Sequence, residues 1–116
     1  MIVGIGTDLC VVERFAAMLQ RRPGLVDRLL TPAEQRSSIE SQAGRFAAKE
    51  ALAKALGAPG GMRWTDAEVV RSDVGAPSIV VRDSVAARVR ELSISRIHVS
   101  LSHDGGYVTA MVVCEG

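Results

Sequence analysis

One stretch near the middle of the chain, residues 44–57, constrains the fold more than any other. It consists mainly of alanine and leucine with lysine and glutamate between them, which favours a helix, and Gly57 stands where a helix would end. At about 100° per residue, the side chains that share the predicted core face are Ala48, Ala51, Leu52 and Ala55. Because alanine is small, this helix can approach its packing partner closely.

Glu50 and Lys54 lie on the opposite side of the predicted helix, one turn apart, with Phe46 beside them. One interpretation is a solvated ion pair, which stabilises a helix by about 0.2–0.5 kcal/mol. The other interpretation is that both charges face a functional site. Residues elsewhere in the chain bear on this choice.

The composition predicts one domain, residues 1–116, with a modest core. The chain is 47% hydrophobic but only 3% aromatic, so its core is built mainly from valine, leucine, isoleucine and alanine. Self-association would bury more of this apolar surface. The net charge of +1 is too balanced to indicate a nucleic-acid-binding surface.

The sequence also lacks the features of a membrane or exported protein. Residues 1–6 are apolar but have no preceding basic region, and no run approaches the roughly 20 apolar residues of a membrane span. Cys10 and Cys114 have no metal-binding spacing and are expected to be reduced, buried thiols, with a bridge between them as the alternative. We therefore expect a cytoplasmic protein that does not bind membranes.

The N-terminal region is predicted to form a strand and then a helix. Residues 1–6 are predicted to form a buried strand, and Thr7 and Asp8 to open a helix that runs to about Arg22. One face of that helix carries a methionine flanked by basic residues, which suits docking to an acidic, partly apolar partner helix. The residues of this face are Arg14, Met18 and Arg21. The alternative is an ordinary basic surface.

Between this helix and the central one, a helical turn is expected at residues 27–30. Thr31 and Glu34 then form a capping box with a proline at the first helical position, so Glu34 is interpreted as structural rather than catalytic. Residues 37–42 are polar and are expected to be loosely ordered.

The C-terminal half is predicted to form two hairpins around one helix. The predicted strands cover residues 64–72, 78–82, 96–103 and 107–114, and the helix begins at Asp83 or Ser84 and runs through Leu92. The whole pattern predicts an α+β fold in which an antiparallel sheet packs against the long central helix.

Two short segments resemble known functional motifs but do not meet their requirements. The sequence Gly4-Ile5-Gly6 lacks the third glycine of a dinucleotide-binding fingerprint. Ser102, His103 and Asp104 resemble a hydrolase triad only in order, because adjacent strand residues point to opposite faces and cannot meet as nucleophile and base.

Four chemically capable positions remain: Asp8, Glu50, Lys54 and His103. Taken singly, Asp8 can be a helix cap and His103 a structural histidine. Together they offer two carboxylates, which Mg²⁺ takes from proteins when substrate phosphates and waters complete its shell. Lys54, with Arg45 and Lys49 on the helix flank, would neutralise phosphate charge. Because the set has no protein nucleophile, the attacking group is expected to come from a substrate.

At this point the chain strongly resembles the holo-acyl-carrier-protein synthases, which are small phosphopantetheinyl transferases. Three segments carry the resemblance, in the order and approximate spacing of that family. They are Gly4-Ile5-Gly6-Thr7-Asp8 with Val12-Glu13-Arg14-Phe15, Arg45-Phe46-Ala47-Ala48-Lys49-Glu50-Ala51 with Lys54-Ala55-Leu56-Gly57, and Ser100-Leu101-Ser102-His103-Asp104.

The resemblance implies the 4′-phosphopantetheinyl transferase fold and transfer of 4′-phosphopantetheine from coenzyme A to a serine of an acyl carrier protein, with adenosine 3′,5′-bisphosphate as the other product. It implies that Asp8 and Glu50 hold Mg²⁺ on the coenzyme A pyrophosphate and that Lys54 stabilises the leaving phosphate. Glu50 is the candidate base for the serine proton, directly or through a bound water.

The resemblance further implies a homotrimer with active sites between neighbouring subunits. Arg45 and His103 would lie along the coenzyme A site, and the basic face of the first helix would receive the acidic carrier. The family often has a Gly-Thr-Gly loop after the central helix. This chain has Ala58-Pro59-Gly60-Gly61 there, so Gly60 is the candidate phosphate-binding residue because Pro59 has no N–H.

Two alternatives stay open at the level of sequence. The first is a non-catalytic module that binds acyl carriers. The second is a coenzyme A pyrophosphatase on the same scaffold, which would transfer to water.

Overall fold

The computed structural model describes residues 1–116 as five strands and four helices, with short 3₁₀ turns at Glu34–Arg36 and Trp64–Asp66. The strands are β1 (Ile2–Val11), β2 (Ala67–Arg71), β3 (Pro77–Val81), β4 (Arg96–Asp104) and β5 (Tyr107–Glu115). The helices are α1 (Val12–Arg21), α2 (Leu25–Leu29), α3 (Ile39–Ala55) and α4 (Asp83–Glu91). None of these helices has the length and apolar character needed to cross a membrane.

The strands form two antiparallel sheets. The larger has the order β1-β5-β4, and β2 pairs with β3 in a separate hairpin. The β4–β5 hairpin turns through Gly105 and Gly106, both at positive φ (56° and 83°), as a two-residue turn of the hairpin-favouring kind requires. The predicted α+β arrangement, an antiparallel sheet against a long helix, is confirmed.

Helix α3 packs against the inner face of the larger sheet. The four alanine and leucine residues of its predicted core face are all buried, and β5 contributes Val108, Ala110 and Val112 beneath them. Two glycines of β1 allow the approach, because a Cβ on Gly4 or Gly6 would collide with a carbonyl oxygen of α3. The small residues predicted to permit close packing therefore occur on both sides of this contact.

The N-terminal strand is longer than the sequence pattern predicted. Residues 7–11 continue β1 by pairing with residues 107–111 of β5, and helix α1 begins only at Val12. The prediction that Asp8 opens a helix is wrong, because the cross-strand hydrogen bonds replace the cap that the local sequence suggested. The strand is also buried on its inner face only, since Ile5 and Leu9 on its outer face are 55% and 61% exposed.

Residues 37–42 are ordered, contrary to expectation. The Ser38 hydroxyl accepts a hydrogen bond from the Ser41 N–H (3.2 Å) and caps α3, which starts at Ile39. The Gln42 side chain donates to the carbonyl oxygens of Gln35 and Ser37 at 3.1 and 2.9 Å. These polar side chains thus form hydrogen bonds with backbone N–H and C=O groups at the start of the helix, which orders the segment.

The capping box that the sequence predicted is present. The Thr31 N–H donates to Glu34 Oε1 (2.8 Å) and the Glu34 N–H donates to Thr31 Oγ1 (3.3 Å), although the segment forms a 3₁₀ turn. Glu34 is fully buried, which confirms its structural interpretation.

The glycine contact gives a stability prediction. Gly6→Ala is expected to destabilise the protein by about 1–3 kcal/mol or more, because the new methyl group would push β1 away from the Ala51 carbonyl of α3. Gly60→Ala is the matched control, since nothing lies within 4 Å of the Cβ it would add. Denaturant unfolding of both variants measures the difference, and an unchanged Gly6→Ala protein would show that the approach is not tight.

Candidate active site

Three predicted site residues meet where β1 crosses α3. The inner face of β1 carries alternate residues, so Asp8 follows Gly6 toward the helix. The Lys54 ammonium donates to Asp8 Oδ1 at 3.2 Å and to the Thr7 carbonyl oxygen at 2.9 Å. The fold therefore brings the side-chain carboxylate of Asp8, near the start of the chain, into direct contact with the central helix.

Glu50 lies one helical turn before Lys54 and is half-buried. Its carboxylate makes no hydrogen bond or ion pair, so its oxygens are open to a ligand. Burial raises the pKa of Glu50 above its ordinary value, the nearby Asp8 carboxylate adds to the rise, and Lys54 opposes it. Two carboxylates with a single cation between them leave an excess of negative charge that a divalent cation would relieve.

Two grooves border this cluster. A groove of about 580 Å³ runs from Asp8 and Lys54 across the outer face of the sheet, and its other polar lining residues are Thr7, Ser100, Ser102 and Thr109. Sequence reasoning missed these hydroxyl groups as a set, although the alternation of β4 places Ser100 and Ser102 on one face.

A second groove, of about 290 Å³, places the same carboxylates beside helix α1. It is lined by Asp8 and Glu50 together with Arg14, Met18 and Phe46. Two residues of the predicted docking face thus lie beside the acidic pair. Arg21, the third, is exposed at the end of α1, outside the residues that line the groove.

The two carboxylates suffice for Mg²⁺ only if a bound ligand supplies further oxygens. No group of three His, Cys, Asp or Glu side chains is placed to hold a metal ion. Mg²⁺ commonly takes one or two carboxylates from the protein and its remaining oxygens from substrate phosphates and water. Asp8 and Glu50 supply that number of carboxylates.

Arg45 and His103 lie in a different place, near the N-terminal end of α3. Arg45 donates to the Val69 carbonyl oxygen (2.6 Å) and to the Ser41 hydroxyl (3.3 Å). His103 Nδ1 lies 3.2 Å from Glu40 Oε1, and Ser41 and His103 line one polar cleft of about 380 Å³. Arg45 therefore ties α3 to β2, and His103 lines a separate polar cleft, so neither residue joins the carboxylates.

The helical geometry explains this separation. Arg45 and Glu50 are five residues apart, which turns their side chains by about 140° around the helix axis at about 100° per residue. They point to nearly opposite sides of α3. A single ligand could contact both within one copy of the chain only by wrapping around the helix.

The loop after α3 offers few backbone donors. The Gly57 N–H donates to the Lys54 carbonyl, and the Ala58 N–H to that of Ala53. Because Pro59 has no N–H, the amides that remain unpaired are those of Gly60, Gly61 and Met62. The predicted candidate, Gly60, is exposed and keeps a free donor.

Lys49 corrects the sequence analysis. It was expected on the flank of the helix as a phosphate-neutralising cation, but it is 1% exposed and its ammonium lies 2.6 Å from Glu34 Oε1. A lysine with this burial and this partner cannot reach a phosphate in either groove. Its position follows from a partner 15 residues earlier, which the periodicity of the helix does not reveal.

The comparisons with known proteins point to one family. The model of the 4′-phosphopantetheinyl transferase superfamily matches residues 4–112. The holo-[acyl-carrier-protein] synthase of Streptomyces avermitilis is 54% identical over 121 aligned residues, covering 99% of this chain and 98% of that protein. That of Cutibacterium acnes is 52% identical and covers all of both chains.

Solved structures of the same family superpose closely on this chain. The holo-[acyl-carrier-protein] synthase of Neisseria meningitidis superposes with a TM-score of 0.90 at 31% identity, covering 100% of both chains. The Helicobacter pylori enzyme, solved in complex with coenzyme A, gives 0.84 at 30% identity, covering 96% of this chain and 99% of that one.

The family model and the fold define the class: the chain belongs to the 4′-phosphopantetheinyl transferase superfamily. Within it, the three relatives from Streptomyces avermitilis, Cutibacterium acnes and Neisseria meningitidis, which match 99–100% of the chain, are holo-[acyl-carrier-protein] synthases. The resemblance stated from the sequence motifs is thereby confirmed.

The charge excess at Glu50 gives a prediction about stability. A carboxyl group whose pKa is raised by folding binds its proton more tightly in the folded state, so its ionised form opposes folding at neutral pH. The opposition disappears as the pH falls through the pKa. Glu50→Gln is therefore expected to raise the thermal midpoint of the metal-free protein near neutral pH and to leave it unchanged in acid, below the ordinary titration range of glutamate.

Thermal unfolding at both pH values, with a chelator present, measures this effect. Asp73→Asn removes an exposed carboxylate in the β2–β3 turn and is expected to change the midpoint little. A Glu50→Gln protein that unfolds below the wild-type midpoint near neutral pH would contradict the proposed charge excess.

Proposed function

We propose that this protein transfers 4′-phosphopantetheine from coenzyme A to a serine of an apo acyl carrier protein and releases adenosine 3′,5′-bisphosphate. The observation that carries the proposal is the meeting of Asp8, Glu50 and Lys54 at the crossing of β1 and α3. The names of the relatives, and the coenzyme A bound in the Helicobacter pylori structure, agree with the donor and the acceptor. The cytoplasm, where reduced cysteines persist, is the proposed location.

Asp8 and Glu50 are the proposed ligands of Mg²⁺. When bound, the ion would neutralise the pyrophosphate and favour attack at phosphorus. Asp8 is held in place by Lys54, while the Glu50 carboxylate has no partner within the protein, so both of its oxygens are available to the ion.

Lys54 is the proposed group that stabilises the leaving phosphate. An ammonium has three N–H donors, and two of those of Lys54 are used by Thr7 and Asp8. The third is available, and the side chain is 53% exposed, so a phosphate can approach it. A fixed cation of this kind stabilises the charge that develops as the bond to phosphorus breaks.

In the proposed reaction, the serine oxygen of the carrier forms a bond to the phosphorus that bears pantetheine. The bond from that phosphorus to the bridging oxygen breaks, and adenosine 3′,5′-bisphosphate leaves with the bond electrons. Glu50 is the proposed acceptor of the serine proton. It could accept this proton directly or through a bound water.

The coenzyme A site is proposed to extend to Arg45, His103 and Gly60. Arg45 and Glu50 face opposite sides of α3, so one coenzyme A molecule that contacts both would take them from two copies of the chain. This arrangement requires an oligomer, and we propose a homotrimer with sites between neighbours.

The outer face of the larger sheet is the proposed contact surface between the copies. Exposed apolar side chains lie along it on β1 and β5: Ile5, Leu9, Tyr107 and Met111. Apolar side chains exposed along one sheet face indicate an interaction surface. The groove that leads from this face to Asp8 and Lys54 would then be closed by a neighbouring copy.

Helix α1 is the proposed docking site for the acidic carrier. Arg14 and Met18 line the groove that ends at the carboxylates, and Arg21 extends the basic surface. A carrier docked there would present its serine to Glu50. Methionine is adaptable, which suits an apolar contact among charge pairs.

An assay of arm transfer tests the activity. Incubation with coenzyme A, Mg²⁺ and an apo carrier is expected to add the mass of phosphopantetheine to the carrier, as mass spectrometry would show. Binding of the carrier without a mass increase would instead indicate a non-catalytic carrier-binding module. Breakdown of coenzyme A without the carrier would indicate a pyrophosphatase.

Asp8→Asn, Glu50→Gln and Lys54→Met are each expected to remain folded and to lower kcat at least about 100-fold, because each removes fixed charge from the reacting phosphates. Glu91→Gln, at an exposed pair on α4, is the control and is expected to retain activity. Full activity in any of the three would remove that residue from the site.

The oligomeric state is tested by light scattering after size exclusion. The wild type is expected at three times the chain mass of 12.3 kDa. Ile5→Asp is expected to shift it to a lower mass, because a buried unpaired charge would oppose association. Val80→Asp, at a 40% exposed position of β3, is the matched control and is expected to stay trimeric. A trimer that survives Ile5→Asp would exclude this face.

A further inference from the structure

A buried ion pair lies behind the helix that carries Glu50. Glu34 and Lys49 are 0% and 1% exposed, and Lys49 Nζ lies 2.6 Å from Glu34 Oε1. Lys49 Nζ also donates to the Leu29 carbonyl oxygen, and Glu34 accepts from the Thr31 and Val69 N–H groups, each at 2.8 Å. The network thus joins α3 to the end of α2 and to β2.

Stability alone does not account for a pair of this kind. Removing two charges from water is costly, and replacing a buried ion pair with apolar residues of similar volume is often neutral or stabilising. Neither side chain lines a groove with Asp8 or Glu50. Unlike apolar contacts, the ion pair is directional: it fixes the position of one specific atom relative to another.

Directional contacts matter because the buried surface of α3 has few protruding side chains. Its buried surface consists largely of side chains that carry no more than a methyl group, which form shallow ridges for interlocking with a neighbour. These residues are Ala43, Gly44, Ala47, Ala48, Ala51 and Ala55. Contacts of this kind hold the helix close to the sheet but resist its rotation only weakly.

Besides the Lys54 contacts to β1, two directional contacts restrain the rotation, and both end at Val69. Its N–H donates to Glu34, the partner of Lys49, and its carbonyl oxygen accepts from Arg45. Lys49 and Arg45 are one turn apart on α3, so the helix is tied to the same strand position at two points.

Glu50 is the residue next to Lys49, and a small rotation would displace it. A side-chain terminus lies about 5–6 Å from the axis of a helix, so a rotation of about 10° moves it by about 1 Å. Mg²⁺ demands oxygen ligands at about 2.0–2.1 Å in near-octahedral geometry. A displacement of this size therefore decides whether Glu50 and Asp8 can hold one ion.

We propose that Lys49, through Glu34, is a positioning residue that sets the rotation of α3 and so places the Glu50 carboxylate for the divalent cation. The inference rests on the proposed function, since it takes Glu50 as a metal ligand. Lys49 itself contacts neither metal nor substrate.

Binding of Mn²⁺ to the full-length protein with coenzyme A, measured by electron paramagnetic resonance, tests the proposal without turnover. Lys49→Met keeps the length and apolar stem of the side chain but removes the ammonium. It is expected to weaken Mn²⁺ binding about tenfold or more, as the loss of groups that orient metal ligands does. Ile94→Ala truncates a buried side chain beyond α4 and is the control for loss of stability.

The two variants are compared by their thermal midpoints and Mn²⁺ affinities. Weakened binding in Lys49→Met with wild-type binding in Ile94→Ala supports positioning. Wild-type binding in a folded Lys49→Met protein, or equal weakening in both variants, would overturn it.

If Lys49→Met does not fold, Lys49→Arg replaces it. Arginine keeps the charge, but its longer planar head cannot occupy the same buried space without moving α3, so weakened binding is again expected and wild-type binding would again overturn the proposal. Absence of Mn²⁺ binding in the wild type is a separate result, since it would reject the proposed metal site rather than the role of Lys49.

Discussion

The close approach of α3 to the glycines of β1 is the contact on which the site depends. Aspartate has a short side chain, so Asp8 can meet Glu50 only where the strand and the helix are nearly in backbone contact. Gly6, one inward position earlier, gives that distance because it has no side chain to keep Ala51 away. The carboxylate pair is therefore a consequence of packing: the contact that closes the core also brings two negative charges together.

Two adjacent charged residues of α3, Lys49 and Glu50, have very different environments. Lys49 is fully buried, and its ammonium has a carboxylate and a carbonyl as partners. Burial lowers the pKa of Lys49, while the hydrogen bond and charge of Glu34 act in the opposite direction. Glu50 has no hydrogen-bonding partner, and burial and Asp8 both raise its pKa. The satisfied pair supports the structure, and the unsatisfied carboxylate is the one left free to bind a cation.

The sequence predicted those features that local chemistry determines. Gly105 and Gly106 between two alternating segments specified the last hairpin, and Thr31 with Glu34 specified a capping box. The predicted extent of β1 was wrong. An aspartate after a strand is compatible with a helix cap, and only the pairing with β5 decides whether the strand continues. The burial of Lys49 was missed for a similar reason, since helical periodicity shows which residues share a face but not what lies opposite.

The nearness of Asp8 to Glu50 came from the family resemblance rather than from periodicity. Forty-two residues separate the two positions, and no pattern of local structure relates a strand to a helix over that interval. The motifs predicted that both hold one ion, and the structure shows why they can be close. It also places Arg45 and His103 elsewhere, which the motifs alone did not indicate.

The position of Arg45 bears on how the proposed site could be assembled. Along α3, Arg45 and Glu50 are separated by about 7.5 Å in rise and about 140° in rotation, so they cannot converge on one small volume in a single copy. Under the proposed function, each copy would present two half-sites on opposite sides of the same helix, and a ring of copies would match the carboxylate half of one with the Arg45 half of the next. In such a ring the directional contacts that set the rotation of α3 would align both half-sites at once, because a rotation that displaced Glu50 would displace Arg45 in the neighbouring site as well.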